Sequence, residues 1–130
     1  MKIIYVEDSP YKANDVRKVV EEMGIKREDI IIRDDLNTGL RCVRETLEQG
    51  DTIPFLLTDM YYPIVKGDSV DSDAGSKFIK RVKHRNPEIP IIVISSENLF
   101  IPEADGFVWY HPEKLWENKL KDVIRGYLNA

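Results

Sequence analysis

Residues 2–9 read KIIYVEDS: a short β-branched run that stops at two acids and is followed by a serine and a proline. Such a run predicts a buried strand. Ser9 then offers a helix N-cap, and Pro10 suits the first helical position. Ala13, Val16, Val20 and Met23, with Val19 beside them, make one apolar helical stripe, and Gly24 is placed for a C-terminal stop. The opening unit is therefore strand, acid pair, helix.

The same alternation continues along the chain. Residues 29–33 predict a second strand, and Leu36, Leu40, Val43 and Leu47 mark a second amphipathic helix ending near Gly50. Residues 53–58 (IPFLLT) predict a third strand that delivers Asp59. Residues 60–74, rich in Tyr, Pro, Gly, Ser and Asp without a stable period, predict a long loop. A helix carrying Phe78, Ile79 and Val82 inward is expected to end around Asn86-Pro87. Residues 90–94 (PIIVI) predict a fourth strand ending at Ser95, and residues 107–110 a fifth. Pro112 is expected to open a last helix with Trp116, Leu120, Val123, Ile124 and Tyr127 at helical spacing.

Strands alternating with helices imply a parallel sheet covered on both faces, because parallel neighbours need crossover connections. The expected architecture is α/β, a flavodoxin-like doubly wound sheet of five parallel strands in the order 2-1-3-4-5, as one domain over residues 1–130. Only about eleven residues run from Ser95 to Gly106, so the fourth helix is expected to be shortened or absent.

Composition narrows the function classes. A hydrophobic fraction of 42% with 32% charged residues is that of a soluble globular chain. No stretch approaches the length of a membrane span, and the start lacks the pattern of a signal peptide. The formal net charge of −4, without a Lys/Arg cluster on one helix, argues against direct nucleic-acid binding. Cys42 is the only cysteine, which excludes an internal disulfide and fits a reducing cytoplasm.

In the order 2-1-3-4-5, strands one and three are neighbours, and ligands gather outside their carboxyl ends. Glu7, Asp8 and Asp59 are then expected to converge. Three crowded carboxylates repel one another unless a cation compensates. Hard oxygen ligands, with no Cys/His set for zinc, favour Mg²⁺, with Mn²⁺ as a substitute. Beside such a metal an ionised Asp59 can attack phosphorus, giving an aspartyl phosphate. Ser95, at the tip of the fourth strand, is placed for a hydroxyl hydrogen bond to a phosphoryl oxygen.

Three motifs, in order and each at a strand end, carry a family resemblance: KIIYVEDS with Glu7 and Asp8, LLTDMYYP with Asp59 four residues before Pro63, and PIIVISS ending in Ser95 and Ser96. Over essentially the whole chain the sequence resembles the receiver domain of the two-component response regulators, the CheY-like superfamily. The resemblance implies that Asp59 receives phosphate from a histidine kinase or phosphotransfer protein. It implies that Glu7, Asp8, Asp59 and the main-chain carbonyl of Tyr61 hold Mg²⁺, and that Ser95 is the switch hydroxyl. It also implies a cytoplasmic signalling domain rather than a metabolic enzyme, with self-catalysed phosphoryl transfer and autodephosphorylation at most. With no effector domain attached, output is expected to pass to a further protein rather than to DNA or a membrane.

The chain departs from that family in three places. Receivers commonly place a lysine before a proline near the end of strand five, but here the text is GFVWYHP. Counting back from Pro112 puts His111 there as a replacement; counting forward from Phe107 puts Tyr110. Neither is a permanent cation, and Lys66 or Lys77 is the candidate to reach in from the loop. The second departure is the enlarged acidic loop over residues 64–73, expected as a lid or docking surface. The third is the shortened region after strand four. Two alternatives follow: a non-phosphorylated pseudo-receiver that binds a protein constitutively, and a small phosphatase of the haloacid dehalogenase type. The latter normally has a second Asp two residues after the nucleophile, where this chain has Tyr61. Calcium at Asp68, Asp71 and Asp73 is disfavoured because the EF-hand ligand pattern is missing.

Overall fold

A computed structural model describes residues 1–128. In chain order the elements are β1 (Ile3–Val6), α1 (Pro10–Glu22), β2 (Ile30–Arg33), α2 (Leu36–Glu48), β3 (Leu56–Thr58), β4 (Tyr62–Pro63), β5 (Val70–Asp71), α3 (Ala74–Arg85), β6 (Ile91–Ser95), β7 (Gly106–Trp109) and α4 (Trp116–Leu128). The main sheet has the order β2-β1-β3-β6-β7, with every pairing parallel. Numbered among themselves, its five strands run 2-1-3-4-5, as the alternation of strands and helices predicts.

The sheet is apolar on both faces. Ile3, Tyr5, Leu57, Ile92 and Ile94 pack against Val16, Val20, Leu120 and Ile124 of α1 and α4. Ile4, Val6, Leu56, Ile91 and Val93 pack against Leu36, Val43, Phe78, Ile79 and Val82 of α2 and α3. Consecutive strand residues serve opposite faces, so a buried parallel strand reads as a continuous hydrophobic run. A Cβ added at Gly39 of α2 would sit 2.7 Å from a methyl of Val6, so the absent side chain sets how closely that helix approaches β1.

Helix starts follow local chemistry. The Ser9 hydroxyl accepts from the Lys12 amide at the head of α1. The Asp35 carboxylate accepts from both the amide and the hydroxyl of Thr38 at 2.6 Å, capping α2.

Several expected boundaries move. The third strand is shorter than residues 53–58, spanning Leu56–Thr58, because Pro54 has no N–H to give to a ladder. Asp29 lies in a 3₁₀ turn ahead of β2 rather than in the strand. The last helix begins at Trp116, not Pro112, after a turn in which Leu115 has φ 49°. The expected loop over residues 60–74 contains a small antiparallel ribbon, with Tyr62 opposite Asp71 and Pro63 opposite Val70. Residues 96–105, all among the described residues, carry turns and bends but no helix, as the short spacing predicts.

Candidate functional site

β1 and β3 lie side by side with Val6 opposite Thr58, so the residues that follow them leave the sheet together. Glu7, Asp8 and Asp59 each offer a carboxylate oxygen, and these oxygens lie within 4.8 Å of one another. Glu7 and Asp59 are buried and Asp8 is exposed. With Ser9, Tyr11, Lys12, Tyr61, Val70, Ser96 and Tyr110 they line one open pocket.

The main chain beneath Asp59 is tied on several sides. Its amide donates to the Val6 carbonyl at 3.0 Å. Its carbonyl accepts from the Thr58 hydroxyl at 2.6 Å, and that hydroxyl meets the buried Tyr62 hydroxyl at 2.9 Å. The Gly75 amide at the head of α3 donates to the Met60 carbonyl at 3.0 Å. A Cβ at Gly75 would lie 2.5 Å from the Asp59 carbonyl oxygen, so this approach requires glycine.

Glu7 is equally constrained. One carboxylate oxygen accepts from the Tyr5 hydroxyl at 3.1 Å, and the other accepts from the Ser9 amide at 3.1 Å. Burial pushes its carboxyl above the usual glutamate range; the Lys12 ammonium opposes that shift and the Asp59 charge adds to it.

The residue that the motifs did not reveal is Lys12. It is 5% exposed, and its Nζ lies 2.9 Å from Glu7 Oε1 and 3.2 Å from Asp59 Oδ1 while donating to the Ile94 carbonyl at 2.8 Å. The contact with Asp59 is an ion pair without hydrogen-bond alignment, so the buried Oδ1 is left with no hydrogen-bond donor. A signal was available in the sequence. Lys12, Val16, Val19 and Val20 stand at i, i+4, i+7 and i+8, which puts a lysine on the apolar stripe of α1. A charge in that position must find partners inside the fold.

The other candidates are placed as follows. Ser95 is fully buried at the end of β6, and its hydroxyl accepts from the Glu97 amide at 3.1 Å; the neighbouring Ser96, not Ser95, lines the pocket. His111 is outside the pocket lining: its ring lies 4.7 Å from that of Trp109, and its Nδ1 accepts from the Glu113 amide. Of the two residues offered for the end of the last strand, Tyr110 is the one at the pocket, and its hydroxyl donates to Asp15 at 2.6 Å. Lys66 points to Asp34 and Lys77 to Asp71, so neither reaches the acids. The side chain of Tyr61 donates to Glu97 at 2.9 Å. In the acidic loop, Asp71 is engaged by Lys77 and by the Asp73 amide. Among the described residues, the grouping of acids arranged to share a metal ion is Glu7, Asp8 and Asp59 rather than these loop aspartates.

The donor set suits a hard divalent ion. Three carboxylates converge, one of their buried oxygens lacks a donor, and neither histidine nor cysteine is present in the lining. Glu7, Asp8 and Asp59 fit Mg²⁺ in this respect.

No family model matches the chain, and no curated protein matches its sequence. Solved structures do resemble it. One is the N-terminal domain of a response regulator/sensory box/GGDEF 3-domain protein from Carboxydothermus hydrogenoformans, with 18% identity, a TM-score of 0.63, and coverage of 99% of this chain and 98% of that one. Another is the signal receiver domain of an HD domain-containing protein from Pseudomonas fluorescens Pf-5, with 13% identity, a TM-score of 0.69, and coverage of 98% and 94%. A third is the response regulator TrrA from Thermotoga maritima in complex with Mg²⁺-BeF, with 17% identity, a TM-score of 0.68, and coverage of 95% and 99%. At these identities the likeness speaks for architecture: the chain has the flavodoxin-like fold of response-regulator receiver domains.

Proposed function

We propose that this chain is a phosphorylation switch of the receiver type, contained in one domain, in which Asp59 accepts a phosphoryl group and the modified protein changes its affinity for a partner. The observation that carries this reading is the buried Asp59 carboxylate, with an oxygen lacking a donor, held within 4.8 Å of the carboxylates of Glu7 and Asp8. A nucleophile needs a lone pair not taken up by a donor and a rigid mount, and the hydrogen bonds beneath Asp59 supply the mount.

In the proposed reaction a carboxylate oxygen of Asp59 attacks phosphorus in line with the leaving group. The new O–P bond forms as the donor's P–N or P–O bond breaks, and the leaving group departs with the bonding pair. Glu7, Asp8 and Asp59, with the Tyr61 main-chain carbonyl, would hold Mg²⁺ or Mn²⁺. A bound divalent ion offsets charge on the transferred phosphoryl. The fitting donors are a histidine kinase, a phosphotransfer protein or a small acyl phosphate. Ser95 enters as the switch hydroxyl only if its bond to the Glu97 amide is exchanged for one to the phosphoryl group.

Incubation with acetyl phosphate and Mg²⁺, followed by intact-mass measurement, tests the reading. The native protein should gain the mass of one phosphoryl group and Asp59→Asn should gain none. An adduct on both, or on neither, overturns it. A second reading, the constitutive protein-binding module, is favoured by one observation: Lys12 already pairs with two of the three acids. It predicts no adduct and no Mg²⁺ binding. Nothing favours the phosphatase alternative, since the Tyr61 side chain, two residues after Asp59, is bonded to Glu97.

A further inference from the structure

We propose that Lys12 is the cation that binds the phosphoryl group on Asp59, carried on the first helix rather than at the end of the last strand. The proposal rests on the reading of Asp59 as phosphoacceptor, and goes beyond it by assigning a residue that the sequence motifs do not mark.

A buried ammonium is costly unless each N–H meets an oxygen. Lys12 Nζ faces three: Glu7 Oε1 at 2.9 Å, Asp59 Oδ1 at 3.2 Å and the Ile94 carbonyl at 2.8 Å. Its fourth neighbour is the face of the Tyr110 ring, 5.6 Å from Nζ to the centroid, an arrangement that also favours a cation. The Ile94 contact is a hydrogen bond, and Glu7 Oε1, met by Lys12 as an ion pair, has a donor of its own in the Tyr5 hydroxyl. The third, to Asp59, has the distance of an ion pair but not the alignment of a hydrogen bond. The poorly satisfied partner is the group on which phosphate would appear.

Transfer of a phosphoryl group replaces one negative charge at Asp59 by roughly two and adds three acceptor oxygens. A side-chain cation within contact distance offsets the part of that increment that a divalent ion leaves. Among the described residues lining the pocket, Lys12 is the only cationic side chain. Lys66 and Lys77 lie beside Asp34 and Asp71, outside the pocket lining, and His111 is turned toward the Glu113 amide. The ammonium moves no proton in the step; it orients the phosphoryl oxygens while acetate, or another leaving group, departs with its electron pair. Because the same Nζ holds the Ile94 carbonyl, binding the phosphoryl group ties the end of β6 to the state of Asp59.

The test compares the full chain with Lys12→Met, Lys12→Arg and the double variant Lys12→Met/Tyr110→Lys. The double variant places an ammonium on the other side of the same pocket. Rates of adduct formation with acetyl phosphate and Mg²⁺ are read by intact mass, and Mg²⁺ binding by titration calorimetry. Lys12→Met should slow labelling about 100-fold, the scale for losing one electrostatic contact to a transition state. It should bind Mg²⁺ at least as tightly as the native chain, because an internal competitor for the acids is gone. Lys12→Arg should retain part of the rate, and Tyr110→Lys should restore part of it.

Native-rate labelling of Lys12→Met overturns the role of Lys12 and leaves Asp59 as phosphoacceptor. Loss of Mg²⁺ binding in Lys12→Met makes the lysine a structural prop and also overturns it. If Lys12→Met does not hold its fold by circular dichroism, the double variant decides: folded and labelled supports the role, folded and unlabelled overturns it. No adduct on the native protein overturns both readings together.

Discussion

The two ends of the sheet's functional edge are built on opposite plans. At the carboxyl ends of β1 and β3, the Asp59 amide, the Asp59 carbonyl and the Glu7 carboxylate all have short bonds to neighbouring groups, and Gly75 packs onto the chain with no room for a methyl. Beyond β6 the chain enters residues 96–105 without a helix, and Phe100 there is 89% exposed. The segment's two ends are held: the Trp109 indole donates to the Ser96 carbonyl, the Asp105 amide donates to the Ile91 carbonyl, and the Asp105 carboxylate accepts from Lys83 and from the Ile91 amide, which leaves residues 98–103 as the loosely tied part. Carboxylates that repel one another stay together only on a stiff mount, whereas a segment that has to respond to chemistry must have a low cost of rearrangement.

The largest effect that would sharpen this contrast is expected at Gly75. Gly75→Ala forces a carbon against the Asp59 carbonyl and the Met60 backbone, and should cost about 3 kcal/mol, at the upper end for overpacking. Denaturant melts would read that loss, and a cost below about 0.5 kcal/mol would mean the mount is soft.

A smaller effect is expected at Asp35, which caps α2. Asp35→Ala should cost about 1 kcal/mol. Burial draws the Asp35 carboxyl upward, but bonds from the Thr38 hydroxyl and amide, together with the Lys66 amide, hold it below the ordinary aspartate range. A carboxyl depressed on folding adds stability above its unfolded value, and that stability is lost as pH falls through the folded one. Melting temperatures measured from neutral pH down to about pH 3 should therefore fall less steeply in Asp35→Ala than in the native chain.

The smallest effect is expected at the loose end. Phe100→Ser should change stability by less than about 0.5 kcal/mol, because the ring buries almost nothing in the described structure. Amide exchange should separate the same two regions, with residues 98–103 exchanging freely and residues 56–59 protected to near the global limit. Slow exchange over 98–103 would erase the contrast, showing that segment to be as firmly held as the acid cluster.

Much of this molecule was legible in its order of residues. Local patterns suffice for a buried parallel strand, for the Ser9 and Pro10 helix start, and for the shortened connection after Ser95, because each depends on neighbours a few positions apart. Glu7, Asp8 and Asp59 were legible for a further reason: a parallel α/β sheet admits few strand orders, and the relevant one makes β1 and β3 adjacent. The ribbon within residues 60–74 and the late start of α4 were not, since two-residue strands and irregular turns have no period of their own.

The sequence places a lysine on the apolar stripe of α1, but which cation meets the acids is settled by tertiary structure. Sequence order pointed to the end of the last strand, where His111 and Tyr110 stand, and to Lys66 and Lys77 in the loop. The fold instead threads Lys12 from the first helix to Glu7, Asp59 and Ile94. Composition and periodicity determined that a doubly wound sheet would gather three carboxylates, because those properties follow from local preference and strand adjacency. Which ammonium answers them depends on the length and direction of one side chain crossing between layers, and only three-dimensional packing decides that.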